Sequence, residues 1–590
     1  MTKQPLTERF GILDTCVTFE CRYTYEEFAA MREKGYTGVI FGYLDANWDG
    51  DFSRLDNYGH TCVFTDMFPA DYIEKNRTEL TRRLECAKKA GLKVWMSVRG
   101  PLTGTDLYAI SPEIEAKYKS YFGPGGDKWG GSGKRPMCLS FPEVRQRYLE
   151  LICDIVKSFP DIDGFTFFGG DSYSLVCDET CERCNVRPCH SNWSGWITEL
   201  KETAAAVRDN VEFNIMNWPW WDDMFDMAEE TPADISFMVI PNWGAVYSGD
   251  GEEYPAAVTP WECQECQSDA LRVPTNNNRT ALALTQHWIN APVTDKFKRL
   301  AEICNTQGRK LYAWCDLTTA EAVLPYFTPY PATALSRLRS FTEAGAYGLV
   351  DGWGIPADNI YGRHTDANTV LMGEYLKDMS AEGDIPLRRT AEKLYGKDTV
   401  EDAVHAWTLI DKALAQWPII AYSQRMHWIL RRLFQRLNKI FYVFDLTLPY
   451  FERSKTYEPE WPEFLYDPTV WENLKKYMTR VVDLYDRALA SYERICMIAE
   501  KNGDPALLEN ARFHRDCATL TRCYFMLALE TCDYHIAGLN GKKLSAEYIR
   551  NAVGTRRLCR TLFTKLNVSP YENDLSLSLA HMSGYEETQE

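Results

Sequence analysis

The sequence predicts a (β/α)8 TIM barrel followed by an α-helical C-terminal domain, and three observations carry that prediction. Eight short apolar runs alternate with helical patterns between about residues 9 and 350, the order of a parallel barrel. Beyond about residue 385 no strand pattern appears, and long amphipathic stretches take over. At the C-terminal end of nearly every run stand carboxylates, amides and tryptophans, where such barrels keep their chemistry. The expected division is 1–384 for the barrel and 385–590 for the helical domain.

The elements follow in order. Residues 9–14 read as the first strand. Thr24 to Lys34 reads as a helix, with Thr24 and Glu27 spaced as a capping box and Gly35 as the stop. Gly38 to Tyr43 is the second strand, and the helix from about Ala70 to Ala90 again ends at a glycine. Leu92 to Val98 is the third strand, followed by a loop rich in Gly and Pro from Pro101 to Lys134. The helix Pro142 to Phe159 leads into the fourth strand, Phe165 to Phe168. Val211 to Met216, Ile235 to Ile240, Lys310 to Trp314 and Ala346 to Val350 complete the eight. In the second half, Asp402 to Trp417, Tyr422 to Phe444, Val470 to Lys501 and Leu507 to Ile536 read as long helices.

The segment Asp163-Gly-Phe-Thr-Phe-Phe-Gly-Gly-Asp171 carries the most functional information. Its aromatic, β-branched run ends in Gly169 and Gly170, which permit a sharp turn, and then presents Asp171 at the strand's end. The other strand ends have the same character. Strand two gives Tyr43 and Asp45, strand three Arg99, and strand five Asn217 and Trp218. Strand six gives Asn242 and Trp243, strand seven Asp316 and Glu321, and strand eight Asp351 and Trp353. Carboxylates and amides bond hydroxyl groups and indoles cover apolar ring faces, so this set suits a carbohydrate. Trp95 and Trp314 lie within strands and are assigned to the core.

Composition narrows the field. The chain has 590 residues, ample for two or three domains, and carries 18 Trp, 33 Tyr and 27 Phe. A net charge of −18 argues against a nucleic-acid partner. No apolar run reaches membrane-spanning or signal-peptide length, so no membrane partner is expected. The expected location is cytoplasmic, or secreted or periplasmic if a leader has been removed; the sequence does not fix an oligomeric state. There is no Gly-x-Ser-x-Gly elbow, phosphate-cradling loop or dinucleotide fingerprint.

Of the 19 cysteines, four crowd the stretch after Asp171: Cys177, Cys181, Cys184 and Cys189, followed by His190. The Cys-x2-Cys spacing lets two thiolates reach one tetrahedral ion, and Cys177, Cys189 or His190 can complete the ligands. A second such pair, Cys263 and Cys266, is expected beyond strand six. A structural zinc and a loop stiffened by reduced thiols or a local disulfide both remain open.

The stretch Cys138-Leu-Ser-Phe-Pro-Glu-Val-Arg145 through Asp171 resembles the fourth βα unit of barrel glycoside hydrolases related to the family 20 β-N-acetylhexosaminidases. The pattern Leu311-Tyr-Ala-Trp314, Glu321 and Leu324-Pro-Tyr-Phe-Thr-Pro-Tyr-Pro331, followed by Gly345-Ala-Tyr-Gly-Leu-Val350, resembles their strands seven and eight. The resemblance spans roughly residues 9–360 and implies a barrel glycosidase with a helical domain behind it. Family 20 enzymes carry adjacent Asp-Glu at the end of strand four, whereas Ser172 follows Asp171 here. The substrate-assisted mechanism and the N-acetyl substrate therefore do not carry over.

The expected activity is glycoside hydrolysis by two rim carboxylates, Asp171 as acid and Glu321 as nucleophile, with no cofactor required for catalysis. Long connections at 100–135, 172–195 and 244–285 suggest a closed pocket and exo-action on a terminal sugar. Two alternatives are a non-catalytic carbohydrate-binding barrel and a metal-dependent sugar isomerase or lyase.

Overall fold

The structure is a computed structural model. It describes residues 6–13, 23–41, 54–98, 100–101, 112–123, 136–168, 177, 180–217, 221–241, 283–284, 293–315, 328–351, 366–416, 420–421 and 468–566. Eight parallel strands close into a barrel in chain order. They are β1 (Glu8–Leu13), β2 (Gly38–Phe41), β3 (Lys93–Val98), β4 (Gly164–Phe168), β5 (Glu212–Asn217), β6 (Ile235–Val239), β7 (Leu311–Cys315) and β8 (Gly348–Asp351), with β8 pairing back onto β1. Each lies within two residues of the position expected from sequence. Interleaved with them are α1 (Tyr25–Glu33), α2 (Ala70–Lys89), α3 (Pro112–Lys117), α4 (Pro142–Ser158), α5 (Cys189–Ala205), α6 (Trp221–Glu230), α7 (Asp295–Gln307) and α8 (Pro331–Glu343).

Local chemistry sets the boundaries. Thr24 accepts from the Glu27 amide, and the Glu27 carboxylate accepts from the Thr24 amide, the reciprocal box expected of that spacing. The chain leaves α1 and α2 through Gly35 and Gly91, at φ of 88° and 77°, where a side chain would strain the backbone.

The barrel interior is filled in layers supplied by alternate strands, as in other eight-stranded barrels. At the N-terminal end, Glu8, Lys93, Glu212 and Lys310, on or beside the four odd-numbered strands, form a closed ring of ion pairs. Lys93 reaches Glu8 at 2.6 Å and Glu212 at 3.4 Å, and Lys310 reaches Glu212 at 2.7 Å and Glu8 at 3.9 Å. Above it, Phe10 stacks on Trp95 with ring centroids 4.3 Å apart, and Tyr312 meets both rings edge-on. Trp95 Nε1 donates to Glu212 at 3.2 Å, and the Tyr312 hydroxyl donates to Glu8. Trp95 and Trp314 are both buried, as expected.

These three rings fit because their cross-strand neighbours are glycines. Phe10 pairs with Gly38, Trp95 with Gly164 and Tyr312 with Gly348. A Cβ at Gly38 would lie 2.3 Å from the Phe10 ring, and at Gly164 or Gly348 it would lie 2.8 Å from the Trp95 or Tyr312 ring.

The seam where β8 meets β1 is clamped on the other side-chain parity. Arg9 Nη2 donates to Asp351 Oδ2 at 3.2 Å, and the Tyr36 hydroxyl donates to the same oxygen at 2.6 Å. Arg9 and Asp351 are each 1% exposed. The guanidinium also lies 3.7 Å over the Tyr36 ring and donates to the Lys34 carbonyl. Burial pushes the Tyr36 hydroxyl well above its usual range against the pull of Arg9, so it remains a donor.

The chain divides into two compact units. One holds Met1–Pro241, Asp295–Cys315 and Phe341–Gly362, the barrel strands among them; the other holds Asn242–Thr294, Asp316–Ser340 and Arg363–Glu590. The second unit contains α9 (Ala367–Lys377), α10 (Ile385–Tyr395), α11 (Val400–Gln416), α12 (Pro468–Asn502), α13 (Pro505–Leu539) and α14 (Ala546–Leu566). The helices expected at 402–417, 470–501 and 507–536 are present, the last two longer than expected; 422–444 lies outside the described residues. Helices α12 and α13 form a hairpin capped by Asp504, which accepts from the Ala506 and Leu507 amides. Its core includes Trp471 stacked on His535 at 3.9 Å, and a buried Arg556–Glu530 pair at 2.7 Å joins α14 to α13. Among the described residues, no helix is long and apolar enough to cross a membrane.

Gly38→Ala forces a methyl group into the Phe10 ring and should cost about 1–3 kcal/mol or more in urea denaturation. Gly195→Ala, in α5 with nothing within 4 Å, should be neutral or stabilising. At the seam, Asp351→Ala leaves Arg9 buried without its carboxylate and should cost about 3–5 kcal/mol. The paired replacement Arg9→Met with Asp351→Leu should recover much of that loss.

Candidate functional site

All eight strands run the same way, so their C-terminal ends open on one mouth. Phe168 ends β4 and Cys315 ends β7, three strands further round the ring. Near this end the ring of Phe168 meets that of Trp314 edge-on, with centroids 6.3 Å apart. Further down, a buried polar chain crosses three strands. Thr166 Oγ1 donates to Asn214 Oδ1 at 2.8 Å, and Asn214 Nδ2 donates to Ser236 Oγ at 2.9 Å.

Most of the rim residues expected from sequence lie outside the described residues: Tyr43, Asp45, Arg99, Asp171, Trp218, Asn242, Trp243, Asp316, Glu321 and Trp353, with Cys263 and Cys266. Asn217 is the last residue of β5, its backbone in register with Val239. Asp351 is the rim candidate with described side-chain contacts, and these include the barrel seam. Its Oδ2 serves Arg9 and Tyr36, and the side chain is buried. These contacts give Asp351 a structural place in the seam. The physical reason is strand parity: Asp351 pairs in register with Gly11, next to inward-facing Phe10, and so shares the outward side with Arg9.

The second candidate centre is the cysteine cluster. The sulfurs of Cys138, Cys177, Cys181 and Cys184 all lie within 4.8 Å of one another, and such a group can hold a metal ion. The four residues are 0, 4, 2 and 8% exposed, with Phe141 packed against them. Cys138 Sγ is 3.5 Å from Cys184 Sγ and 3.9 Å from Cys181 Sγ, and Ser140 Oγ lies 3.0 Å from Cys184 Sγ. Hydrogen bonds from the Cys177 and Cys184 thiols pull Cys138 far down, and the same contacts push Cys177 and Cys184 up.

This set corrects the sequence reading at one position: the fourth sulfur is that of Cys138, not Cys189. Cys189 opens α5, and its thiol turns to donate to the Cys177 carbonyl at 3.1 Å. His190 faces α6 instead, with Asp223 at 3.4 Å and Asp226 at 3.6 Å. Nothing in local spacing points to Cys138, which lies some forty residues upstream. The usable signal was arithmetic: Cys177, Cys181 and Cys184 supply three sulfurs, and a tetrahedral site needs a fourth.

No family model matches the chain, and no curated protein matches it. Solved structures do. A mutant O-GlcNAc hydrolase of Thermobaculum terrenum aligns over 98% of this chain and 96% of its own, at 10% identity and a TM-score of 0.39. A family 89 glycoside hydrolase from Clostridium perfringens aligns over 99% of this chain and 69% of its own, at 10% identity and a TM-score of 0.36. A family 115 4-O-methyl-α-glucuronidase with specificity for decorated arabinogalactans covers 98% of this chain and 60% of its own, at 11% identity and a TM-score of 0.41. All three are glycoside hydrolases by name. None is named as a family 20 enzyme, and that resemblance rests on the sequence motifs alone.

Proposed function

We propose that the chain is a glycoside hydrolase, with Asp171 as general acid and Glu321 as nucleophile or general base. The observation that carries the reading is the closed parallel barrel. Its strand order brings the ends of β4 and β7 to one mouth, and the sequence places Asp171 and Glu321 just beyond those two ends. Glycosidases need two carboxyl groups flanking the scissile bond, one to protonate the leaving oxygen and one to attack or to activate water. Asp171, after two glycines and an aromatic strand, suits the acid role, since partial desolvation raises a carboxyl pKa. Tyr43, Asp45, Asn217, Trp218, Asn242, Trp243, Asp316 and Trp353 would bind hydroxyls and ring faces. Arg99, directly after β3, offers a fixed donor fork to a hydroxyl pair or an anionic substituent.

The long connections at 100–135, 172–195 and 244–285 support a pocket and therefore exo-action. The reaction itself needs no cofactor. A second reading, a carbohydrate-binding barrel without turnover, draws on Ser172 standing where family 20 enzymes carry the acid.

Turnover of a panel of aryl glycosides tests the proposal. Asp171→Asn and Glu321→Gln should each lower kcat by about 10²–10⁴-fold while circular dichroism and the unfolding midpoint stay at the wild-type value. Either variant turning over a good substrate at the wild-type rate would remove that residue from the mechanism. On an oligosaccharide, terminal sugars should appear before shorter internal fragments. Sugar binding without hydrolysis across the whole panel would favour the second reading.

A further inference from the structure

We propose that Cys138, Cys177, Cys181 and Cys184 hold one zinc ion in a closed tetrahedral site that ties the segment entering α4 to the connection between β4 and α5. Zinc–sulfur bonds of about 2.3 Å in a tetrahedron set the sulfurs about 3.8 Å apart. The two sulfur–sulfur distances from Cys138 to Cys184 and Cys181, 3.5 and 3.9 Å, bracket that value, and all four sulfurs fall within 4.8 Å. All four residues are buried, and all four are free thiols.

The backbone on both sides is fixed by bonds that do not involve the sulfurs. On one side the Cys138 amide donates to the Tyr121 carbonyl at 2.8 Å, the Gly123 amide donates to the Pro136 carbonyl at 2.8 Å, and Phe122 bridges Met137. On the other, the Cys184 and Asn185 amides both donate to the Cys181 carbonyl, at 3.0 and 2.9 Å, and Asn192 Nδ2 donates to the Cys184 carbonyl at 2.9 Å. Gly123 supplies an independent constraint. A Cβ there would lie 2.3 Å from Cys177 Sγ, so only glycine leaves that sulfur its place in the group. Four sulfurs from two separately braced segments converge on one point, which plain packing of thiols does not require.

Four sulfur ligands leave no position for water or substrate, so the ion is structural and takes no part in hydrolysis. Binding releases the thiol protons to solvent and gives a site of charge −2. Arg183, between two ligands in sequence, stacks on Phe141 at 4.2 Å and brings positive charge to the same neighbourhood. The ion's position has a consequence that rests on the proposed function: Asp171 precedes Cys177 by six residues in the same connection. Losing zinc should therefore disturb the acid without removing any catalytic group.

Elemental analysis of the full-length protein, purified without chelator, should find about one zinc per chain. Growth with cobalt should give a green or blue protein with the intense ligand-field and sulfur-to-cobalt bands of four thiolates. Cys138→Ser should lose most of the zinc, and Cys189→Ser should keep it. If Cys138→Ser does not fold, the wild-type cobalt spectrum and Cys189→Ser still decide. Iron in place of zinc, no metal with no cobalt bands, or zinc lost from Cys189→Ser but kept by Cys138→Ser would each overturn the site. None of these readings depends on glycosidase activity, so the site and the proposed reaction fail separately.

Discussion

Three aromatic rings from odd-numbered strands must fit inside a barrel whose diameter is fixed by eight strands, and the rest of the fold depends on how they do so. Phe10, Trp95 and Tyr312 fill the interior only because Gly38, Gly164 and Gly348 stand opposite them. Large residues alternate with absent side chains around the ring, so the layer packs densely without forcing the strands apart. Strands held at this spacing direct all eight C-terminal ends to one side. The arrangement also explains why β2, β4 and β8 begin with glycine, a residue otherwise poor for a strand.

Much of this was legible in the sequence. The strands are short, apolar and evenly interrupted, so their positions were read to within two residues. Thr24 with Glu27, and the glycines after α1 and α2, were legible because capping is local chemistry. The seam role of Asp351 was not legible, because the end of a strand does not say which way the last side chain points. That depends on the register with β1, and so on Gly11 and Arg9 more than three hundred residues away. Cys138 was missed for a related reason. Its tie to Cys181 and Cys184 is set by the Phe122–Met137 bridge and by the turn at Cys181, neither of which leaves a spacing pattern.

The seam and the cysteine cluster solve a similar problem by different chemistry. Each joins segments distant in sequence, and each buries groups that apolar packing alone would not hold together. At the seam, a guanidinium, a phenol and a carboxylate satisfy one another directly. In the cluster, four sulfurs from two segments lie within 4.8 Å of one another. A pair of opposite charges is self-sufficient in a dry interior; a group of like ligands calls for a cation at its centre.

The ring of Glu8, Lys93, Glu212 and Lys310 alternates in sign around the barrel axis. Two positive and two negative charges in that order form a quadrupole, whose potential decays with distance much faster than that of a net charge. The potential of this ring therefore falls off steeply toward the opposite end of the barrel. Its charges add little to the field at the mouth where the strands end.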